Sequence, residues 1–219
     1  MTTRLFVLLG ALAASSSQAA WPTLAASAGY ESQIFTSQAW ELVDTNDFLP
    51  MLRVGAGTGF EVGRGSLDVG LSFTTGASRE TAHGAQVATE LWLRGVELSA
   101  MYRYPVLKWL EPYAQLGVGW DWVTLTLIQA SRLSQTVSNV AGSGLLGVQL
   151  PVRMGTGTGR LPFMVFDVGG GYVLRPDYAF SAMAPVSSEL PEPIPLGTVN
   201  LGQLPMHGWV WRVLVSVRW

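Results

Sequence analysis

Side chains that could act together in hydrolysis or acyl transfer are few in this sequence. The two histidines, His83 and His207, fall in or beside predicted loops, where Ser78, Glu80 and Asp177 could share the same rim. An enzyme of this kind needs a histidine held beside a serine or a carboxylate. None of these residues has the spacing that such a pair favours, so we predict no catalytic residue and no enzymatic activity.

The sequence also has few residues suited to binding a metal, a cofactor or a nucleic acid. The absence of cysteine excludes thiolate ligands, disulfides and thiol catalysis. Two histidines cannot form a histidine-rich metal cage, and the glycines at 169–171 precede no predicted helix, so they are not a phosphate loop. The formal net charge of -2 gives no basic field for a nucleic acid. We therefore predict no metal site, no cofactor and no nucleic-acid partner.

The most regular polar feature is a set of charged residues that recur at every second position within apolar stretches. Their charges nearly cancel, with five basic and six acidic side chains: Arg53, Glu61, Asp68, Glu90, Arg94, Glu97, Arg103, Asp121, Asp167, Arg175 and Arg212. If they share the inner face of a barrel, they must pair across neighbouring strands, because an unpaired buried charge is strongly destabilising. We predict that they form a structural polar network in the lumen.

Alternation of apolar and other residues predicts the strands that carry this network. The last segment is the clearest, since Trp209, Trp211, Val213, Val215, Val217 and Trp219 alternate with residues that include Arg212 and Arg218. A period of two over this length is typical of a strand with two unlike faces. Seven further segments show the pattern: 22–35, 52–62, 67–74, 86–104, 113–122, 140–153 and 163–175.

One of these segments changes parity in its middle. Leu91 and Leu93 occupy the apolar face before Gly95, whereas Val96 and Leu98 occupy it afterwards. A slip of one residue at a glycine is typical of a β-bulge, which we predict here.

The composition fits an ordinary soluble domain poorly. Only 13% of the residues are charged, against about 25% in typical soluble domains. Yet beyond residue 20 no apolar run approaches the roughly 20 residues of a membrane helix. A membrane β-barrel fits both facts, because it spreads apolar residues over every second position of its strands.

The two faces of the strands differ in a way that orients the barrel. The polar face is rich in glycine and carries mixed charges without lysine, whereas solvated surfaces use lysine freely. A narrow lumen needs small residues where strands crowd, and paired charges. We therefore predict that the apolar face is outside, with aromatic residues such as Tyr102, Trp209, Trp211 and Trp219 at the membrane interfaces.

The predicted connections alternate in length around the ring. Those at 63–66, 105–112 and 154–162 are short or rich in proline and glycine, whereas those at 36–50, 76–85, 128–138 and 177–205 are more polar and mostly longer. Outer-membrane barrels have this asymmetry, with short periplasmic turns and longer external loops.

The N-terminus has the features of a secretory signal peptide. Arg4 supplies a positive charge, residues 5–14 are apolar, and Ser17 and Ala19 are small residues just before the expected cleavage point. The apolar stretch is too short for a helix that spans a membrane. We predict a signal peptide over residues 1–19 and a single barrel domain over 20–219.

The sequence resembles the small eight-stranded outer-membrane barrels, a broad class of OmpA-, OmpX- and OmpW-like proteins. The resemblance rests on the terminal strand at 209–219 and on the stretch 102–120, in which a strand, a turn bounded by Pro105 and Pro112, and a second strand follow one another. It implies an eight-stranded antiparallel transmembrane barrel in the outer membrane of a Gram-negative bacterium. It also implies that the alternate residues from Trp209 to Trp219 form a C-terminal signal read by the barrel-assembly machinery.

The resemblance implies little about activity, because this class hosts adhesins, small channels, enzymes and structural members. We predict a structural or surface-interaction role, with polar side chains closing the lumen, since side chains fill the interior of eight strands. Two alternatives stay open: a narrow porin-like channel for small or apolar solutes, and an outer-membrane enzyme that modifies lipid. The expected partners are outer-membrane lipid, the barrel-assembly machinery and periplasmic chaperones, and the chain is expected to be a monomer.

Overall fold

The structure, a computed structural model, describes residues 22–35, 37, 40, 43–44, 46–82, 87–128, 132–154, 162–182 and 202–219. The predicted signal peptide at 1–19 lies outside these residues. The described strands are β1 (Thr23–Phe35), β2 (Phe48–Val62), β3 (Gly65–Ala82), β4 (Val87–Arg103), β5 (Glu111–Ile128), β6 (Arg132–Arg153), β7 (Phe163–Leu174), β8 (Tyr178–Phe180), β9 (Gly202–Leu204) and β10 (Gly208–Arg218). Within the described segments, no helix has the length and apolar character needed to cross a membrane.

Eight of these strands close into one antiparallel barrel. Strands β1 to β7 each pair with their neighbours along the chain, and β10 closes the ring between β7 and β1. Strands β8 and β9 form a separate two-stranded sheet in the connection between β7 and β10. The predicted fold, an eight-stranded antiparallel barrel, is confirmed.

The barrel is narrow because it has only eight strands, and these strands are strongly tilted. If the cross-strand partners are followed once around the ring from Glu61, the path passes Arg103 and Arg212 and returns to β2 at Met51, ten residues away. For eight strands, this stagger corresponds to a tilt of about 40°. Side chains alone can fill such an interior.

The outer surface of the barrel is an apolar belt, as the sequence predicted. Its members include Leu52, Val54, Leu71, Leu98, Leu116, Val118, Leu146, Val168, Val213 and Val215, and all of them are exposed. Exposed aromatic residues lie near both ends, with Phe60, Tyr102, Phe163 and Trp219 at the end of the short turns and Phe48, Trp122 and Trp209 towards the end of the long connections. We call these the turn end and the loop end.

The parity change at Gly95 does not arise from a β-bulge, so that prediction was wrong. The pairing of β3 with β4 is unbroken from Ser66↔Arg103 to Ala82↔Val87. Leu91 and Leu93 therefore face the interior, where both are fully buried. The backbone alternates regularly, and it is the polarity of the interior that changes from polar to apolar towards the loop end.

Four neighbouring strands are longer than the rest of the ring. Strands β3 to β6 have 18, 17, 18 and 22 residues, whereas β7 and β10 have 12 and 11. A tilted strand of about 10 residues spans a bilayer, so β3–β6 project beyond the belt at the loop end. The predicted loops at 76–85 and 128–138 are mostly strand and need correction, because their polar alternation belongs to this projecting sheet.

Two glycines in adjacent strands provide a test of how tightly the wall is packed. A Cβ atom at Gly171 would lie 2.7 Å from the Cα of Leu145 and would overlap the backbone of Gly144, whereas a Cβ at Gly142 would meet nothing within 4 Å. We expect Gly171→Ala to lower the free energy of unfolding by about 1–3 kcal/mol through overpacking. Gly142→Ala should change it little, as measured by urea unfolding of the refolded protein in vesicles. Equal stability of the two variants would contradict this packing.

Candidate functional site

Two arginines that share one carboxylate lie in the interior near the turn end. Arg103 contacts Asp68 at 2.7 Å (Nε to Oδ2) and Glu111 at 3.0 Å (Nη1 to Oε2). Arg218 reaches the same Glu111 oxygen at 3.1 Å and donates to Gln149 Oε1 at 2.6 Å. These side chains come from five different strands, so they link the wall of the barrel across its lumen.

A second group surrounds Arg53 in the middle of the barrel. Arg53 contacts Glu31 at 3.1 Å (Nη1 to Oε2), forms a further ion pair with Glu97, and donates to Ser72 Oγ at 2.6 Å. Ser143 donates to the other Glu97 oxygen at 2.8 Å. Arg53 has a side-chain exposure of only 8%, so the guanidinium is held by its partners rather than by bulk water.

Arg212 forms a third group beside the second. Its Nε lies 3.6 Å from Asp167 Oδ1, and its Nη2 donates to Gln115 and, at 3.3 Å, to the hydroxyl of Tyr113. Tyr113 and Gln149 in turn donate to the two oxygens of Asp167 at 2.9 and 2.8 Å. The carboxylate therefore has a partner at each oxygen, as a buried charge requires.

The last polar group lies closest to the loop end. Arg175 forms an ion pair with Asp121, donates to Gln33 and reaches the carbonyl of Met206 at 3.3 Å. Gln33 donates to the same carbonyl at 2.7 Å. This group ties β1, β5 and the end of β7 to the segment that precedes β10.

Beyond Arg175 the interior becomes apolar. A buried cluster fills the loop end of the barrel, and we call it the apolar cap: Phe35, Trp40, Val43, Leu49, Met51, Leu91, Leu93, Val123, Leu125, Tyr178, Phe180, Leu204 and Met206. Trp40 stacks on Phe35 with ring centroids 3.9 Å apart and donates to the carbonyl of Asn46 at 2.7 Å. Burial raises the pKa of the Tyr178 phenol, so that side chain stays neutral within the cap.

The polar groups leave little empty space between them. A cavity of about 110 Å³ lies towards the turn end, lined by Ser27, Gly57, Ser99, Arg53 and Arg212 among others. A second cavity of about 20 Å³ lies beyond it, next to Glu97 and Arg175. Arg53 lines both cavities, so its ion pairs separate them.

Most of the charged residues predicted for the lumen lie there in paired groups. The eight that do so are Arg53, Asp68, Glu97, Arg103, Asp121, Asp167, Arg175 and Arg212. Three predictions need correction. Glu90 and Arg94 lie on the outer face of β4, because Leu91 and Leu93 occupy the inward positions of this regular strand. Glu90 forms an ion pair with Arg132 at 3.2 Å. Glu61 is exposed at the turn end and has no ion-pair partner among the described residues.

The sequence analysis missed three charged members of the network. Glu31 belongs to the weakly patterned first strand, Glu111 opens β5 beside a predicted turn, and Arg218 is the penultimate residue. All three occupy positions with the inward parity of their strands, so strict parity counting up to the strand ends would have found them. Gln33, Gln115, Gln149 and Tyr113 were missed because they carry no charge.

The residues considered for catalysis are not brought together. Ser78 is buried and donates to Asp44, whereas the His207 ring lies against Tyr172, with centroids 6.5 Å apart. His83 lies outside the described residues. Among the described residues, no group of three or more histidine, aspartate or glutamate side chains could hold a metal ion.

The alternate residues of the terminal strand face outwards. Trp209, Trp211, Val213, Val215 and Trp219 are all exposed on the apolar belt, and Val217 is partly buried on the same face. That the barrel-assembly machinery recognises these residues as a C-terminal signal stays a prediction.

Comparison with known proteins finds similarity in fold only. No family model matches the sequence, and no curated protein matches it. The structure of Ail, the attachment invasion locus protein of Yersinia pestis in complex with the heparin analogue sucrose octasulfate, is similar with a TM-score of 0.51 and 12% identity, covering 91% of this chain and 100% of that one.

Two further solved structures are similar at lower scores. Neisserial surface protein A has a TM-score of 0.47 and 14% identity over 90% of this chain and 94% of its own. A major outer membrane protein from Thermus thermophilus has 0.49 and 15% identity over 91% and 100%. The closed ring, its apolar exterior and the match to the Ail fold define a small outer-membrane β-barrel, the class that the sequence predicted.

The buried ion pairs predict a specific pattern of stability changes. Asp121→Ala leaves Arg175 buried without its carboxylate, and Arg103→Ala leaves Asp68 without its cation. We expect each to lower the free energy of unfolding by about 3 kcal/mol, measured as a lower urea midpoint of the refolded protein. Glu61→Ala removes an exposed carboxylate and should leave the midpoint unchanged. A network without structural importance would leave all three variants as stable as the wild type.

Proposed function

We propose that the protein is a non-conducting outer-membrane barrel whose role is structural or lies in interactions at the cell surface. The observation that carries this proposal is the filling of the lumen along its length, by four ion-paired groups and then by the apolar cap. The turn end would face the periplasm and the loop end the exterior, in keeping with the lengths of the connections.

The paired charges support a lumen that stays closed. An ion that passed Arg53 would have to separate it from Glu31 or Glu97, and breaking a buried pair is worth about 3–5 kcal/mol. Similar barriers follow at Arg212 and Arg175. The groups are arranged in series, so opening one of them does not open the lumen.

The apolar cap adds a barrier of a different kind. An ion entering from the loop end would meet Leu91, Leu93 and Val123, whose side chains are fully buried and offer no polar partner. Moving an ion into such surroundings is strongly unfavourable. The cap therefore supports a closed barrel even if the ion pairs rearrange.

The projecting part of β3–β6 supports a role at the surface. These strands carry the barrel wall beyond the belt, with a folded core beneath them, so they present a stable outer face rather than a loose loop. The proposed partners in biogenesis are the barrel-assembly machinery and periplasmic chaperones. A monomer is proposed because ring closure leaves no unpaired strand in the belt.

The proposed role includes no catalysis, on the evidence that Ser78 is bound to Asp44 and that His207 packs against Tyr172. If the protein modified lipid, a double variant with both histidines replaced by alanine would lose that activity. We expect wild type and double variant to leave the lipid composition of host membranes equally unchanged, as measured by mass spectrometry.

Planar-bilayer recording tests the closed lumen. We expect the purified, folded protein to insert without producing discrete conductance steps, because ion pairs and the apolar cap block the path in series. Insertion is checked by recovery of the protein from the bilayer lipid and by the mobility difference between boiled and unboiled samples. Steady, ohmic steps from the wild type would overturn the proposal in favour of a narrow channel.

A further inference from the structure

A boundary between apolar and polar residues crosses the outer face of β3–β6 at one level. The cross-strand row Phe73, Val96, Trp120 and Val140 is entirely apolar, whereas the next outward row towards the loop end is Thr75, Arg94, Trp122 and Ser138. The two rows beyond it contain Thr124, Thr136, Thr126 and Ser134, whose hydroxyls bond across the strands at 2.8 and 3.1 Å. At this level the apolar belt ends, and the head groups of a bilayer would begin here.

Arg94 lies in the boundary row between two exposed tryptophans. Its guanidinium carbon lies 5.7 Å from the ring centroid of Trp92, and its direct cross-strand partner is Trp122. Among the described residues, no carboxylate lies within ion-pair distance of Arg94. Arg94 is exposed, so its guanidinium is available to an anion from the surroundings.

Two further arginines give this face a net positive charge. Arg79 lies opposite Glu90 in the β3–β4 pairing, and Arg132 contacts Glu90 at 3.2 Å while its side chain stays 67% exposed. Three cations and one carboxylate therefore lie on this face, and the carboxylate of Glu90 is in ion-pair contact with Arg132. We call Arg79, Arg94 and Arg132 the arginine face.

We propose that the arginine face binds the phosphate groups of an outer-leaflet glycolipid of the lipid A type. Arginine suits phosphate because its planar fork donates two parallel hydrogen bonds to one anion. Tryptophans anchor a barrel at the depth of the head groups, and the exposed hydroxyl pair of Thr124 and Thr136 can bond the attached sugars. The inference rests on the proposed outer-membrane location.

Binding to lipid A in detergent micelles tests the inference. The folded full-length protein is titrated with lipid A bearing two phosphates, with a chelator present to remove bridging divalent cations, and bound lipid is counted by native mass spectrometry. We expect Arg79→Gln, Arg94→Gln and Arg132→Gln together to weaken binding at least tenfold, given about fivefold for each charge near an anionic surface. Dephosphorylated lipid A should bind the wild type as weakly as diphosphorylated lipid A binds this triple variant.

A matched control removes the same charge from the other end of the barrel. Arg64, Lys108 and Arg153 are exposed at the turn end, and their replacement by glutamine should leave binding within twofold of the wild type. If both triple variants lost lipid A binding equally, the effect would come from the net charge of the protein and not from the arginine face, and the proposal would be overturned.

Two other results would also overturn it. One is binding that does not depend on phosphate, and the other is binding to a soluble sulfated polysaccharide in place of lipid A. The single variant Arg94→Gln, with folding verified by heat-dependent gel mobility, provides the same reading if the triple variant folds poorly. If lipid A binding failed these tests while the planar-bilayer recording showed no conductance steps, the proposal of a closed lumen would be unaffected.

Discussion

The structure depends on one constraint: in a ring of eight strands staggered by ten residues, a charged side chain that points inwards has only other inward side chains as partners. Five arginines and six carboxylates meet this demand by sharing partners, as Arg103 and Arg218 share Glu111. The sharing links strands that are not neighbours in the sheet. The same contacts that satisfy the charges therefore link strands across the lumen, which supports the proposed closed bore.

The interior of the barrel changes from polar to apolar at the level where the surroundings of the barrel change. Next to the apolar belt the lumen is polar, whereas inside the projecting part of β3–β6 it is filled by Leu91, Leu93, Val123 and their neighbours. The projecting part has water outside, so it needs an apolar core as any water-soluble sheet does. A single regular strand, β4, takes part in both arrangements without a break in its pairing. The reversal also places the arginine face outside, on the same strands that carry the cap inside.

Much of the fold could be predicted from period-two alternation, because adjacent residues of a strand face lipid and the polar lumen in turn and are therefore apolar and polar in turn. The prediction failed where the apolar residues move to the other face of the strand. The pattern around Gly95 is equally consistent with a bulge and with a change in the surroundings of the strand, and only the strand register distinguishes the two. That error put Glu90 and Arg94 in the lumen. The partners of each ion pair could not be predicted, since contacts such as Arg53 with Glu97 join strands that do not pair with each other.

A filled interior restricts where function can reside. The larger cavity, about 110 Å³, is separated from the loop end by the ion pairs of Arg53 and by the apolar cap, which is the arrangement that the proposed closed lumen requires. What the barrel offers to its surroundings is then its outer face. On that face the belt is uniform, and chemical variety is concentrated in the polar rows of β3–β6, where Arg94 lies beside Trp92 and Trp122. In the proposed function, the residues that face away from the lumen carry recognition, whereas those inside determine stability.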